Sequence, residues 1–424
     1  MDASRYELVC VTCGKRYDPG QVRYLCPECA RRQVDGSVLR GVLEVSYDFE
    51  YLGATFNTAH LDASVERGTR RYLALLPIES GGSLSTLLVG DTPLYPGGRL
   101  GKHLGMCGLH LKDESGNPAG SFKDRASILV VAKALELGAA TVCTASTGNA
   151  ATALACICAS QGVDCAVVLP ASAPPAKLAQ ILVYGARVFP VTGTYDQAFD
   201  LSTAACERLG WYNRNTAFNP YTIDGKRLAA FEIWEQLGRR VPDSVWIPTG
   251  DGVILSGIAK GFRDLVALGL SERVPRIIAV QASGSPALVH ALERGREEPQ
   301  PFPGASSVAD SIVVEAPRNG ILALRDIRGS KGRGVLVSDE EILSALALCG
   351  RLGGLFVEPS AAAAVAGLIK ERDAGRVGDD ESVVVLLTGT GLKDIDAARR
   401  SVRVPASISP DIAALIDRAG TRDR

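Results

Sequence analysis

From residue 109 onward the sequence alternates short β-branched and aliphatic runs with longer stretches of helical periodicity, and this alternation limits the possible folds more than any other feature. Strands are predicted over 141–145, 165–169, 187–191 and 211–213, separated by helices over 122–138, 149–161, 175–184 and 195–209. A second series follows, with strands over 245–248, 277–281 and 383–387 and helices over 254–268, 286–294, 339–352 and 360–370. Parallel strands need a crossover to return, so the alternation builds βαβ units. Two series predict an α/β protein of two lobes with a cleft between them, and 424 residues at 46% hydrophobic are enough to fill two cores. In such sheets ligands bind beyond the carboxyl ends of the strands, so the loops there carry the chemistry. Residues 35–95 give weaker signals, a strand over 42–47 and a Gly-rich turn over 81–83.

The formal net charge of −1 gives no basic footprint for nucleic acid, and a small-molecule substrate is the better expectation. No apolar leader and no run of the ~20 apolar residues that a membrane span needs is visible, so a cytoplasmic protein is expected. A homodimer is the default assembly. Eleven cysteines, an odd number spread through a long chain, do not form a disulfide framework. Four of them stand apart: Cys10, Cys13, Cys26 and Cys29 make two CxxC pairs, the spacing of a zinc ribbon. Four thiolates leave no open coordination position, so the expected zinc is structural. Cys143, Cys156, Cys158 and Cys165 lie in apolar segments and read as core.

Four loops could carry chemistry. In the stretch 115–125, Lys123 begins an apolar helix, where the positive helix end disfavours an ammonium and frees the amine for imine formation. Taken alone, a first-turn lysine is more often simply solvated. Ser146-Thr147-Gly148-Asn149 joins a strand to an Ala-rich helix and offers hydroxyls and N–H groups to a carboxylate or phosphate, though an ordinary N-cap turn has the same pattern. Gly250-Asp251-Gly252-Val253-Ile254 repeats the arrangement with two glycines that allow close backbone approach. Thr388 ends the last apolar strand, where a short turn is the simple alternative.

These loops, in this order, resemble the threonine synthase family of fold type II pyridoxal-phosphate (PLP) enzymes. The resemblance rests on Asn117-Pro-Ala-Gly-Ser-Phe-Lys-Asp124, Ala145-Ser-Thr-Gly-Asn-Ala-Ala151, Asn213-Arg-Asn-Thr216, Asn219-Pro220, Phe231-Glu232 and Thr388-Gly-Thr-Gly-Leu-Lys-Asp394, and runs from about residue 92 to 396. It implies a tryptophan synthase β-like fold: a ribbon over 1–40, a larger PLP-binding lobe from 41–125 and 225–424, and a smaller mobile lobe over 126–224. It implies Lys123 as the Schiff-base lysine and catalytic base, beside Phe122. Asn149 would meet the cofactor's phenolic oxygen, Gly250, Asp251, Gly252, Val253 and Ile254 its phosphate, and Thr388 its ring nitrogen. Ser146, Thr147, Gly148 and Asn149 would take the substrate's α-carboxylate. The implied reaction converts O-phospho-L-homoserine and water to L-threonine and phosphate.

Three positions depart from the family pattern. Thr222 stands where many members place an arginine suited to the substrate phosphate, leaving Lys226 and Arg227 as the nearby cations. Asp251 replaces an asparagine in the phosphate loop and is expected to turn its charge away, and Ala119 replaces a threonine. They keep a second reading open, a related enzyme acting on O-phosphoserine, serine or threonine. Glu358-Pro-Ser360 reads as a fold feature with Ser360 as helix N-cap, and the turn bearing Arg318 reads as a solvated loop.

Overall fold

The computed structural model describes residues 5–34, 36–171, 175–193 and 195–420. Residues 1–4, part of the stretch where no apolar leader was read, lie outside the described residues. The strands β1 (Tyr6–Cys10), β2 (Arg16–Tyr17) and β3 (Leu43–Tyr47) form a small antiparallel sheet in the order β2-β1-β3. The chain then lays down β4 (Leu94–Pro96) and β5 (Leu109–Asp113) and leaves them to build β6 (Thr141–Ala145), β7 (Asp164–Pro170), β8 (Arg187–Val191) and β9 (Tyr212–Asn213). These four make a parallel sheet of order β8-β7-β6-β9. On its return the chain adds β10 (Ser244–Pro248), β11 (Arg276–Ala282), β12 (Arg333–Val337) and β13 (Val383–Leu387) to the first pair. The six-stranded sheet has the order β12-β11-β10-β13-β5-β4, parallel throughout except for the edge strand β4. The two α/β layers expected from the alternation are therefore present.

Strands covered on both faces read as unbroken apolar runs, as in Val383–Leu387, where every residue is buried. The helix Pro359–Asp373 packs on this sheet with Ala361, Ala362, Ala363 and Ala364 all buried, and a Cβ on Gly367 would stand 2.7 Å from Val280 Cγ2. Small side chains let that helix lie close against β11. Glu358 is its N-cap, with Pro359 in the first turn, and Ser360 falls inside the helix with no capping bond, a correction to its expected place.

Strand β5 escaped the sequence reading because His110 and Lys112 break its apolar pattern. The fold buries Lys112 by pairing it with Glu232 at 2.8 Å and Gln236 at 3.0 Å. Arg125 joins Glu232 at 2.7 Å and Glu114 at 2.7 Å, so one desolvated network ties β5, the lysine loop and the helix Tyr221–Gln236 together. Burial alone would raise Glu232, but Arg125 and Lys112 outweigh it and hold the carboxyl well below the usual range. No helix among the described residues is long and apolar enough to cross a membrane.

Candidate active site

The loops beyond the carboxyl ends of β5, β6, β10 and β13 converge on a cavity of about 460 Å³. Phe122, Lys123, Ser146, Thr147, Gly148, Asn149, Gly250, Asp251, Gly252, Val253, Ile254 and Thr388 all line it. The lysine loop is fixed against the last strand's loop: Phe122 N donates to Thr388 O at 2.9 Å and Thr390 N to Gly120 O at 3.1 Å. Gly120 has φ +79°, and a Cβ there would stand 3.1 Å from Thr390 Cγ2. Asp124 closes the loop from within by accepting from Ala119 N at 2.6 Å. Lys123 is thereby held at the start of the helix Asp124–Glu136, facing the cavity. Burial, aided by Arg214, lowers its ammonium below the ordinary lysine range, while Glu358 and Asp251 oppose the shift. A lysine of lowered basicity facing a cleft suits nucleophilic and base chemistry.

Two helix starts flank the lysine. Gly148 and Asn149 open the Ala-rich helix Asn149–Gln161, with Ser146 Oγ accepting from Gly148 N at 3.1 Å. Gly252, at φ +84°, opens Val253–Ala267, and a Cβ on it would meet Ala323 Cβ at 2.6 Å. Both first turns present N–H groups suited to an anion. Asp251 lines the cavity beside this cup, and its Oδ1 accepts from Arg318 N at 3.0 Å.

Glu358 is the residue that the motif reading passed over. Its carboxylate accepts from Asn149 Nδ2 at 2.9 Å and from Thr388 Oγ1 at 3.3 Å, joining two residues expected at the cofactor ring. Thr216 and the segment 310–316 also line the cavity. Arg318 also lines the cleft, with its guanidinium 5.0 Å from the Phe199 ring, so the turn that carries it is a wall of the site and not simply a solvated loop. The two cations expected at the substrate diverge. Arg227 is buried away from the cavity between Asp224 at 2.8 Å and Asp264 at 2.9 Å, with Tyr47 stacked at 4.5 Å. It serves the core there. Lys226 is fully buried against Gly257 and is not among the residues that line the cavity.

At the other end of the chain, the Sγ atoms of Cys10, Cys13, Cys26 and Cys29 lie within 4.8 Å of one another. The Cys10–Cys29 and Cys13–Cys26 separations are 3.8 and 3.9 Å. A tetrahedron with metal–sulfur bonds of 2.3 Å has edges of ~3.8 Å, so the cluster has the size of a zinc site. Burial opposes ionisation of Cys26, but the Tyr17 hydroxyl and the N–H groups of Glu28 and Cys29 outweigh it and bring the thiol down to about 7.

Fold and cleft together define an α/β enzyme with a buried lysine set between two helix starts. The chain belongs to the family described as pyridoxal-phosphate dependent enzymes, whose model matches residues 85–389. Within that family its full-length likeness is to the threonine synthases. It is 37% identical to the threonine synthase of Methanocaldococcus jannaschii over 96% of this chain and 97% of that one. It is 38% identical to that of Methanosarcina acetivorans over 98% of this chain and 100% of that one. Among solved structures it is similar to threonine deaminase isoform 2 from Solanum lycopersicum, with a TM-score of 0.65, 21% identity, and coverage of 84% of this chain and 93% of that one. Maize serine racemase matches with a TM-score of 0.61 and 24% identity over 71% of this chain and 88% of that one. At these identities the two structures speak for the fold.

Proposed function

We propose that this chain is a PLP-dependent threonine synthase, converting O-phospho-L-homoserine and water to L-threonine and phosphate. The observation that carries the reading is Lys123: a lysine with a depressed ammonium at the floor of a cleft, between two helix starts, in a chain that matches threonine synthases end to end. The residues present fit PLP. The first turn of Val253–Ala267 offers N–H groups to a phosphate, and Asn149 and Thr388 line the same cavity and would meet the ring.

PLP supplies an electron sink that makes protons at Cα and Cβ of an amino acid removable. The protein's own groups do the rest. Ser146, Thr147 and the N–H groups at the start of Asn149–Gln161 hold the α-carboxylate and fix which face of Cα is presented to Lys123. The amine of Lys123 takes the Cα proton and returns protons where they are needed, as its lowered basicity allows. Loss of the γ-phosphate and addition of water at Cβ complete the conversion. Thr388 would offer a neutral hydroxyl to the ring nitrogen, which would not enforce its protonation. Shorter substrates such as O-phosphoserine, serine or threonine have only the shared fold in their favour.

The cysteine cluster is assigned to one structural zinc ion, on the strength of its tetrahedral spacing. A cytoplasmic homodimer completes the reading, in keeping with an amino-acid biosynthetic reaction and the prevalence of two-fold assemblies. The absorbance spectrum of the purified protein, followed by a phosphate-release assay with O-phospho-L-homoserine, tests the central claim. A visible-edge band lost in Lys123→Ala, with phosphate and threonine formed by the wild type, is the expected result. A band without turnover would move the substrate to a β-substituted amino acid, and no band after PLP addition would end the enzyme reading.

A further inference from the structure

The segment 401–420 leaves the body of the protein as an arm. The helix before it, Ile395–Arg399, keeps Ala397 and Ala398 buried, and Ser401 Oγ donates back to Ala398 O at 2.7 Å. Beyond that bond every residue from 402 to 413 is exposed. Exposed tails are ordinarily polar. This one carries Val402, Val404 and Ile408, and then the helix Ile412–Gly420 with Ile412, Leu415 and Ile416 exposed to 68, 52 and 64%. The helix is locally specified: Pro410 precedes it, Asp411 Oδ1 caps it by accepting from Ala414 N at 2.9 Å, and the apolar residues recur at i, i+3 and i+4 as one stripe. A helix of nine residues does not hold in water by itself, so the stripe calls for a surface.

An apolar surface lies at the root of the arm. Phe356, Leu392 and Ile395 are half-exposed or more. Gly391 N donates to Phe356 O at 2.8 Å, and a Cβ on Gly391 would stand 2.5 Å from the Phe356 ring, so Phe356 packs directly beside the chain entering Leu392. With the arm's side chains, the patch leaves on the order of 500 Å² of apolar area exposed, as much as the largest patches of ordinary monomers. A stable interface takes roughly 20–30 residues from each partner, and the arm alone has twenty.

Charge decides between partners. Arg403 and Arg418 balance Asp411 and Asp417 within the arm. A neutral surface meets its own copy across a two-fold axis without repulsion, and it lacks the Lys and Arg excess that draws an amphipathic helix to anionic lipid. The arm starts a few residues after Leu392 and Ile395, so a two-fold axis beside that patch sets the root of each arm against the patch of the other copy.

We propose that the segment 401–420 is exchanged between two copies of this chain, each arm laying Ile412, Leu415 and Ile416 over the face formed by Phe356, Leu392 and Ile395 of the other copy. The proposal rests on the homodimer in the reading above and on nothing in the cleft. It also places assembly beside the site, because the covered loop continues from Thr388 and holds the lysine loop through Thr390 N and Gly120 O at 3.1 Å.

The test uses the full chain purified with its cofactor. Analytical ultracentrifugation of the wild type is expected to show a dimer. Leu415→Asp combined with Ile416→Asp, and separately Leu392→Asp, should each weaken dimerisation about 100-fold or more, the loss of central apolar anchors. Far-ultraviolet circular dichroism of the variants should match the wild type, since the replaced side chains are exposed. A photo-cross-linking side chain in place of Leu415, in a mixture of isotopically light and heavy chains, should join the arm of one isotope to a peptide of the other containing position 356 or 392. A dimer that survives both variants would overturn the proposal and leave the homodimer standing. Cross-links confined to single chains would overturn it by showing the arm folded on its own body. Variants that remain dimeric but lose binding to vesicles of anionic phospholipid would give the helix a lipid surface instead. A monomeric wild type would sink the proposal together with the homodimer, and leave the reading of the cleft untouched.

Discussion

Glu358 Oε2 accepts a hydrogen bond from Asn149 Nδ2 at 2.9 Å, linking the helix that follows β6 of the four-stranded sheet to the helix that packs on the six-stranded sheet. The same carboxylate is the leading influence that raises the basicity of Lys123 against burial. Glu358→Gln keeps the shape and removes the charge. In the cofactor-free protein, the pH at which Lys123 becomes reactive toward an amine-modifying reagent should move down, as site-resolved mass spectrometry can read. An unchanged profile would deny Glu358 any electrostatic hold on the lysine.

Asp124 carries a pH signature of its own. Burial, opposed by Ala119 N and Lys393, raises its carboxyl from 3.8 to about 7. A native pKa above the unfolded one means that the native state binds the extra proton, so its contribution is complete below pH 4 and is lost as pH rises to about 7. The loss is at most ~4 kcal/mol. Asp124→Asn should flatten the decline in unfolding free energy across that window, measured by denaturant titration at stepped pH. A decline of the same slope in the variant would place its origin elsewhere.

The ribbon prediction separates structure from catalysis. One zinc per chain should be found by elemental analysis and be lost in Cys29→Ser, with a clear fall in melting temperature. Arg325 reaches from the helix Gly320–Gly329 to Val11 O and Tyr24 Oη accepts from Asn213 N at 2.8 Å, so the ribbon is fastened to the body. Turnover by the folded fraction should nonetheless stay within about threefold, because a four-thiolate site has no open position for substrate.

Arg227 is the second cation expected at the substrate. Replacing it by leucine leaves Asp224 and Asp264 buried with a lost partner, although Lys260 still holds Asp264 at 2.7 Å. A loss of ~3–5 kcal/mol is expected in chemical denaturation. KM for the phosphorylated substrate should be unaffected in whatever folds, and a selective rise in KM with stability intact would return Arg227 to the substrate.

Local signals carried much of the reading. Helix starts after apolar strands and the CxxC pairs are short-range features that marked the candidate loops and the cysteine cluster, and the family resemblance then singled out Lys123 and Thr388. Patterns that depend on distant partners were not visible. Strand β5 looked polar until Glu232 was brought to Lys112, 120 residues away in sequence. Glu358 looked like a fold feature until Asn149, 209 residues away, came within hydrogen-bond reach.

The sequence by itself determined the α/β alternation, the lysine loop and the types of group available to the cleft, because each is written in a few neighbouring residues. Only the tertiary structure decided which of those groups face the chemistry. Lys226 and Arg227 are neighbours in the chain, yet successive helical residues point ~100° apart. One therefore packs against Gly257 of Val253–Ala267, and the other is spent on two aspartates in the core. That phase is set by which face of the helix packs against its neighbours, a property of the assembled core that no single stretch of sequence contains.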